Sequence, residues 1–187
     1  MPIKAVKDHI SEHISGNLIS RHWKDHISSI YPYETSKNNL EFRKFRKDDI
    51  DKSAKLFKEV FSDYPWYDEW TSIGQVKNYL MELIENPVFE GFVAYEDNEI
   101  IAACFGNTRS WWMGKEFFII EFYVSKQKQG NGIGTKLMEY VKDDLIKEDY
   151  ERLILLTNTG IPAEEFYLKN GFLINNNRIS MFNELKK

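Results

Sequence analysis

Cysteine is nearly absent. A single one, Cys104, in 187 residues excludes an intramolecular disulfide framework and a cysteine-rich zinc site. Long apolar runs are missing as well: none approaches the ~18 residues a membrane-spanning helix needs. The first residues, MPIKAVKDHISEH, lack the apolar core of a secretory signal. A reducing, cytoplasmic setting with no membrane partner is therefore expected. Nor is there an excess of positive charge, since 25 Lys and Arg stand against 29 Asp and Glu, a formal charge of −4. Proteins that coat nucleic acid rely on clustered positive charge, so nucleic acid is not the expected partner.

What is present is a globular composition rich in rings, with 42% hydrophobic, 29% charged and 15% aromatic residues. The length favours one domain with an appendage. The charge is unevenly spread. Residues 1–39 hold five Lys/Arg and four Asp/Glu (net +1), which leaves 20 and 25 (net −5) for the rest. Val6, Ile10, Ile14 and Leu18, then Ile19, Trp23, Ile27 and Ile30, recur at helical spacing. Residues 1–39 thus read as an N-terminal helical extension that completes a homodimer interface, covers a groove or docks on the domain at 40–187. The pairs His9/His13 and His22/His26 have the i, i+4 spacing that can chelate a transition metal. No third ligand accompanies them, and no metal site is assigned.

From Leu40 the patterning predicts a mixed α/β domain. Leu40–Phe45 reads as a strand. Asp48 is placed to cap a helix with Ile50, Ala54, Phe57 and Phe61 on one face. Ser72 and Gln75 form a capping-box pattern for a second helix, with Val76, Tyr79, Leu80 and Leu83 as its apolar stripe. Phe89–Tyr95, Ile100–Asn107 and Phe117–Val124 read as strands. Ile133, Leu137, Val141 and Leu145 mark a third helix. Leu153–Leu156 is continuously apolar, as in a buried strand. Pro162 early and Gly171 late bracket a short helix, and a last strand near Arg178–Asn183 is expected to close the sheet.

The sharpest local signal is Gln129-Gly130-Asn131-Gly132-Ile133-Gly134, between a strand and a helix. Alternating glycines let the backbone turn its N–H groups towards one point, and a helix N-terminus behind them favours an anion. Gly134 is followed by Thr135-Lys136, the wrong order for a Walker A loop, and the third glycine comes one residue early for a Rossmann fingerprint. A glycine-rich turn without a ligand is the bland alternative.

Gln129-x-x-Gly132-x-Gly134 resembles the Arg/Gln-x-x-Gly-x-Gly/Ala motif of the GNAT family of N-acetyltransferases. Glu121-Phe-Tyr-Val124 before it and Phe166-Tyr-Leu-Lys-Asn-Gly-Phe172 after it fit the same family in order, over roughly residues 40–185. The resemblance implies a mostly antiparallel sheet with a splayed parallel pair of central strands, flanked by helices. It implies acetyl-CoA in the splay, with the backbone of Gln129, Gly130, Asn131, Gly132, Ile133, Gly134 and Thr135 on the pyrophosphate and that of Phe122, Tyr123 and Val124 beside the pantetheine arm. Asn158 is a further candidate contact. Glu121, on an otherwise apolar strand, is the candidate base that frees an amine for attack; binding a substrate cation or pairing with Arg or Lys is the competing role. Tyr167 is implied as the acid for the departing thiolate, against a plain packing role.

Trp66, Tyr67, Asp68, Glu69, Trp70 and Trp111 combine rings with carboxylates, which suits a small cationic amine. Packing of those rings onto the core competes with that reading. The function expected is acetyl transfer from acetyl-CoA to a primary amine. Acetylation of a protein amine or of aminoacyl-tRNA, and acyl-CoA sensing without turnover, are the alternatives.

Overall fold

The structure, a computed structural model, describes residues 39–185. The expected N-terminal helices and all four histidines lie outside them. The described chain forms a five-stranded sheet in the order β1-β2-β3-β4-β5. Its strands are β1 (Glu41–Lys44), β2 (Phe89–Glu96), β3 (Glu99–Trp111), β4 (Gly114–Val124) and β5 (Tyr150–Leu155). Neighbours run antiparallel except β4 and β5, which are parallel.

Among the described residues four helices cover the sheet: α1 (Ile50–Phe61), α2 (Ile73–Ile84), α3 (Ile133–Lys147) and α4 (Pro162–Lys169). Two apolar layers result. Ala54, Phe57 and Phe61 of α1 and Val76 and Leu80 of α2 pack with Val93, Ala103, Phe105 and Tyr123 on one face. Leu137, Met138, Val141 and Leu145 of α3 pack with Phe92, Ala102, Cys104, Phe117 and Ile119 on the other, where Phe166 and Tyr167 of α4 join them. The period-2 alternation along β2 and β3 divides their side chains between these layers.

Local chemistry explains the helix starts. Asp49, rather than the expected Asp48, anchors α1. Its carboxylate accepts from the backbone N–H of Arg46 (2.8 Å), from Arg43 in bidentate fashion (2.8 and 2.9 Å) and from the Tyr95 hydroxyl (2.5 Å). Asp49 is buried and thereby unites β1, β2 and α1, whereas Asp48 is exposed. At α2, Ser72 Oγ accepts from the N–H of Gln75 (3.1 Å), and Gln75 Oε1 reaches back to the N–H of Thr71 (2.9 Å), one residue earlier than a standard capping box.

Two strand expectations are corrected. Residues 178–183 form no strand. The turn at 175–178, with Arg178 N–H on the Asn175 carbonyl (3.2 Å), carries the chain off without a sheet partner, and a strand gains its ladder bonds only by pairing. Leu153–Leu156 is not fully buried either. β5 is the edge of the described sheet, Glu151 is exposed, residues 152–155 are half-buried, and Leu156 is 73% exposed.

Candidate active site

Three irregularities in and around β4 build the site. The first is a β-bulge. Phe105 of β3 faces Glu121, but the next residue, Gly106, faces Ile119, so Ile120 is an extra residue on β4. The insertion reverses the alternation. Phe117 and Ile119 point to the α3 layer, yet Tyr123 points to the α1/α2 layer. Glu121 lies opposite Phe105, which belongs to the α1/α2 layer, so the bulge delivers the carboxylate to that face. Gly106 makes room for it: a Cβ there would stand 2.3 Å from the Phe118 carbonyl oxygen.

The second irregularity is the parting of β4 from β5. Their pairing runs from Lys115↔Tyr150 to Ile119↔Leu155 and stops, while β4 continues to Val124. Beyond Ile119 the backbone of Ile120, Phe122 and Val124 borders an opening instead of a strand. At the far side of this opening Thr157 Oγ1 is buried without a hydrogen-bond partner, and Asn158 is exposed.

The third is the glycine loop. Gly130 and Gly132 have φ of +75° and +76°, and nothing lies within 4 Å of where a Cβ would stand on either. The turn needs glycine for its left-handed backbone, and the space beside it is open. Gly132 precedes α3, no side chain caps this helix, and the N–H groups of Ile133, Gly134 and Thr135 have no intrahelical acceptor. The Gln129 side chain is spent on structure: its Nε2 donates to the Val124 carbonyl (3.0 Å), fastening the loop to the end of β4. Gly134 touches Phe166 and Val124, where a Cβ would come within 3.1–3.3 Å, so α3, α4 and β4 meet tightly there. A cradle of backbone N–H groups, an open side and an adjoining slot between strands fit a pyrophosphate followed by an extended arm.

Burial is the main force on Glu121 and raises its carboxyl from 4.5 to about 7. The Tyr79 hydroxyl donates to Glu121 Oε1 and partly opposes that rise, while the nearby Asp68 charge adds to it. No Lys or Arg among the described residues pairs with Glu121. Tyr167 approaches the opening from the other face, its ring against Phe122 (6.2 Å), Phe166 (5.3 Å) and Phe172 (5.4 Å). Burial, with lesser contributions from Cys104 and Glu121, pushes the Tyr167 phenol up, so it stays protonated.

Of the expected acceptor residues, Asp68 acts on Glu121 through its charge and Trp70 packs on Tyr79, the partner of Glu121. The Trp70 ring lies 5.3 Å from Tyr79, and its Nε1 donates to Asp68 Oδ2 (3.3 Å). Trp66 packs on Phe61 (5.5 Å) as part of the core edge. Tyr67 and Glu69 are exposed. Trp111 is elsewhere. It pairs with Gly114, seven residues before Glu121 on β4, which is about 23 Å along a strand. The β3–β4 hairpin extends further than expected and carries Trp111 and Trp112 with it. Glu116, near the same end, is buried between Arg109 and Arg152. Tyr79 is the residue that sequence reading assigned only to packing; a phenol in an apolar helical stripe was its one visible sign.

Among the described residues there is no cluster of His, Cys, Asp and Glu suited to a metal ion, and no helix long and apolar enough to cross a membrane. The family model "Acetyltransferase (GNAT) family" matches residues 50–172. An uncharacterized N-acetyltransferase of Archaeoglobus fulgidus is 30% identical over 132 residues, covering 68% of this chain and 89% of its own. A possible acetyltransferase from Clostridium difficile 630 superposes with a TM-score of 0.67 at 18% identity, over 79% of this chain and 99% of its own. An aminoglycoside acetyltransferase from an uncultured soil metagenomic sample, in complex with sisomicin, gives 0.64 at 18% identity, over 80% and 98%. Aminoglycoside N-acetyltransferase AAC(6')-Iy, in complex with CoA, gives 0.63 at 13% identity, over 78% and 95%.

Proposed function

The chain belongs to the GNAT acetyltransferase family, and from that premise we propose that it moves an acetyl group from acetyl-CoA to a primary amine of a small cationic molecule, with Glu121 as the base. The observation that carries this reading is a half-buried carboxylate that pairs with no Lys or Arg among the described residues, set by a β-bulge at the mouth of the β4–β5 opening.

Bound acetyl-CoA supplies an activated acetyl thioester. The backbone N–H groups from Gln129 to Thr135 would hold its pyrophosphate, and the unpaired stretch of β4 at Phe122, Tyr123 and Val124 would pair with its extended arm. Asn158 and the orphaned hydroxyl of Thr157 lie on the opposite wall. An alkylammonium does not attack until it loses a proton. Burial brings the Glu121 carboxyl up to about 7, the range in which a general base is most effective at neutral pH. Attack by the amine is direct: the one thiol, Cys104, is fully buried in the sheet and burial keeps it protonated.

The Tyr167 phenol stays above its usual range, which makes full proton transfer to a thiolate uphill. Its hydroxyl makes no hydrogen bond among the described residues and is available to donate one to the departing sulfur. On the acceptor side, Asp68 and the Trp70 ring suit a cationic nitrogen through charge and ring-face attraction. The aminoglycoside acetyltransferases among the solved neighbours support a small polyamine-like substrate.

The test is release of CoA thiol with a panel of aminoglycosides, polyamines, amino sugars and peptides. At least one small cationic amine is expected to be turned over, and Glu121→Gln to lower that rate by about 10²-fold or more. Turnover of peptides alone would reject the small-molecule reading. CoA binding without turnover of any amine would leave a sensor.

A further inference from the structure

Glu121 is delivered to its face by backbone geometry, but a bulge does not fix where a carboxylate's two oxygens point. That task falls to a neighbour on another element. We propose that Tyr79 is a positioning residue for acetyl transfer: its hydroxyl, donated from α2 to Glu121 Oε1, holds that oxygen and leaves Oε2 to take the proton of the acceptor amine. The inference rests on the reading of Glu121 as base.

Several contacts make Tyr79 suited to the role. Its ring is wedged between Phe57 (5.7 Å) and Trp70 (5.3 Å), so the hydroxyl is presented from a fixed plane. The helix that carries it starts at the Ser72 cap, seven residues earlier, and packs on the core through Val76 and Leu80. Glu121 Oε2 has no hydrogen-bond partner among the described residues. The other groups around the carboxylate do not substitute for the phenol. Asp68, from the loop before α2, is an acceptor and repels it. Tyr123 of β4 points its hydroxyl to the Ser53 carbonyl of α1 (3.5 Å), and Tyr167 of α4 comes from the opposite face. Cys104 of β3 is buried and protonated. Among the described residues Tyr79 is thus the one donor on Glu121.

A positioning hydroxyl has a signature that a packing ring lacks. It favours the ionised carboxylate, so its removal shifts the pH at which the base is ready. In Tyr79→Phe the ring and its contacts remain. The acid limb of the kcat/KM profile, near pH 7 in the wild type, is expected to move up by about one pH unit. The acceptor KM is expected to change less than kcat. Carbon-13 NMR of carboxyl-labelled glutamate, in the protein without ligands, is expected to record the same upward move for Glu121. An inactive Glu121→Gln beside an unmoved Tyr79→Phe profile and midpoint would overturn this inference alone. Turnover surviving in Glu121→Gln would overturn the base reading and this inference with it. If Tyr79→Phe melts early, tyrosine labelled at Cζ carries the same test in the unaltered chain. One resonance is expected to track the Glu121 midpoint and to stop moving in Glu121→Gln; no tracking resonance would overturn the proposal.

Discussion

β4 carries two glutamates five residues apart, one buried and one half-buried, with opposite fates. Glu116 sits at the hairpin end, its side chain 2% exposed, between the guanidinium groups of Arg109 and Arg152 (3.3 Å to the latter). Cross-strand pairing brings this about, because Arg109 and Arg152 lie directly opposite Glu116 on β3 and β5. Glu121 sits past the bulge, where β5 has left the sheet. It faces a tyrosine, an aspartate and rings. Both are drawn out of water, Glu116 more fully than Glu121; among the described residues only Glu116 has cationic partners. A carboxylate drawn out of water keeps its proton to higher pH where the fold withholds the cation it elsewhere supplies.

This contrast breaks most visibly in Glu121→Gln. Beside the loss of turnover, its stability is expected to depend on pH in a set direction. The carboxyl ionises near 4.5 in the unfolded chain and near 7 in the fold, so the native state binds the extra proton and loses stability as pH rises through that window. Removing the group lifts the cost. Chemical denaturation is expected to show the variant gaining up to about 3 kcal/mol relative to wild type at pH 8, and little at pH 4.

Gly106→Ala attacks the bulge that separates the two glutamates. Its Cβ would collide with the Phe118 carbonyl and the Phe117 ring. Overpacking of this kind costs about 2 kcal/mol. Lower thermal stability is expected together with a fall in kcat, because Glu121 no longer keeps its face.

Tyr167→Phe sharpens the comparison from the other side of the opening. A thiolate leaves tolerably well unaided, so kcat is expected to fall about tenfold, with the acid limb of the pH profile unmoved.

Glu116→Gln is the control. Arg109 and Arg152 are each more than a third exposed, so solvent rehydrates them and the loss is about 1 kcal/mol. Thermal melting is expected to register this, and the pH profile of turnover is not.

Much of the fold was legible because its signals are local. The 3–4 spacing of Ile50, Ala54, Phe57 and Phe61, the Ser72–Gln75 cap and the Gly130–Gly134 turn each depend on a few adjacent residues. The misses needed distant ones. Nothing near Ile120 marks it as an extra residue; the bulge follows from Gly106, fourteen positions earlier, lying under the Phe118 carbonyl. Asp49 displaced Asp48 as anchor because Arg43 and Tyr95 converge on it from two strands. Residues 178–183 alternate like a strand, but pattern does not furnish a partner. In the site, Glu121 and the glycine loop stood out by sequence, whereas Tyr79 was masked by the apolar stripe it shares with Val76 and Leu80. Trp111 was misplaced because a strand's length fixes how far its hairpin travels from the chemistry.

The raised carboxyl of Glu121 would also couple docking of the proposed cationic acceptor to proton exchange. An ammonium docked beside Asp68 and Glu121 would favour the ionised carboxylate, so a proton would pass to solvent on binding. Affinity for a cationic acceptor then rises with pH across the window where Glu121 titrates, before any acetyl group has moved, and the heat of binding carries the ionisation heat of the buffer.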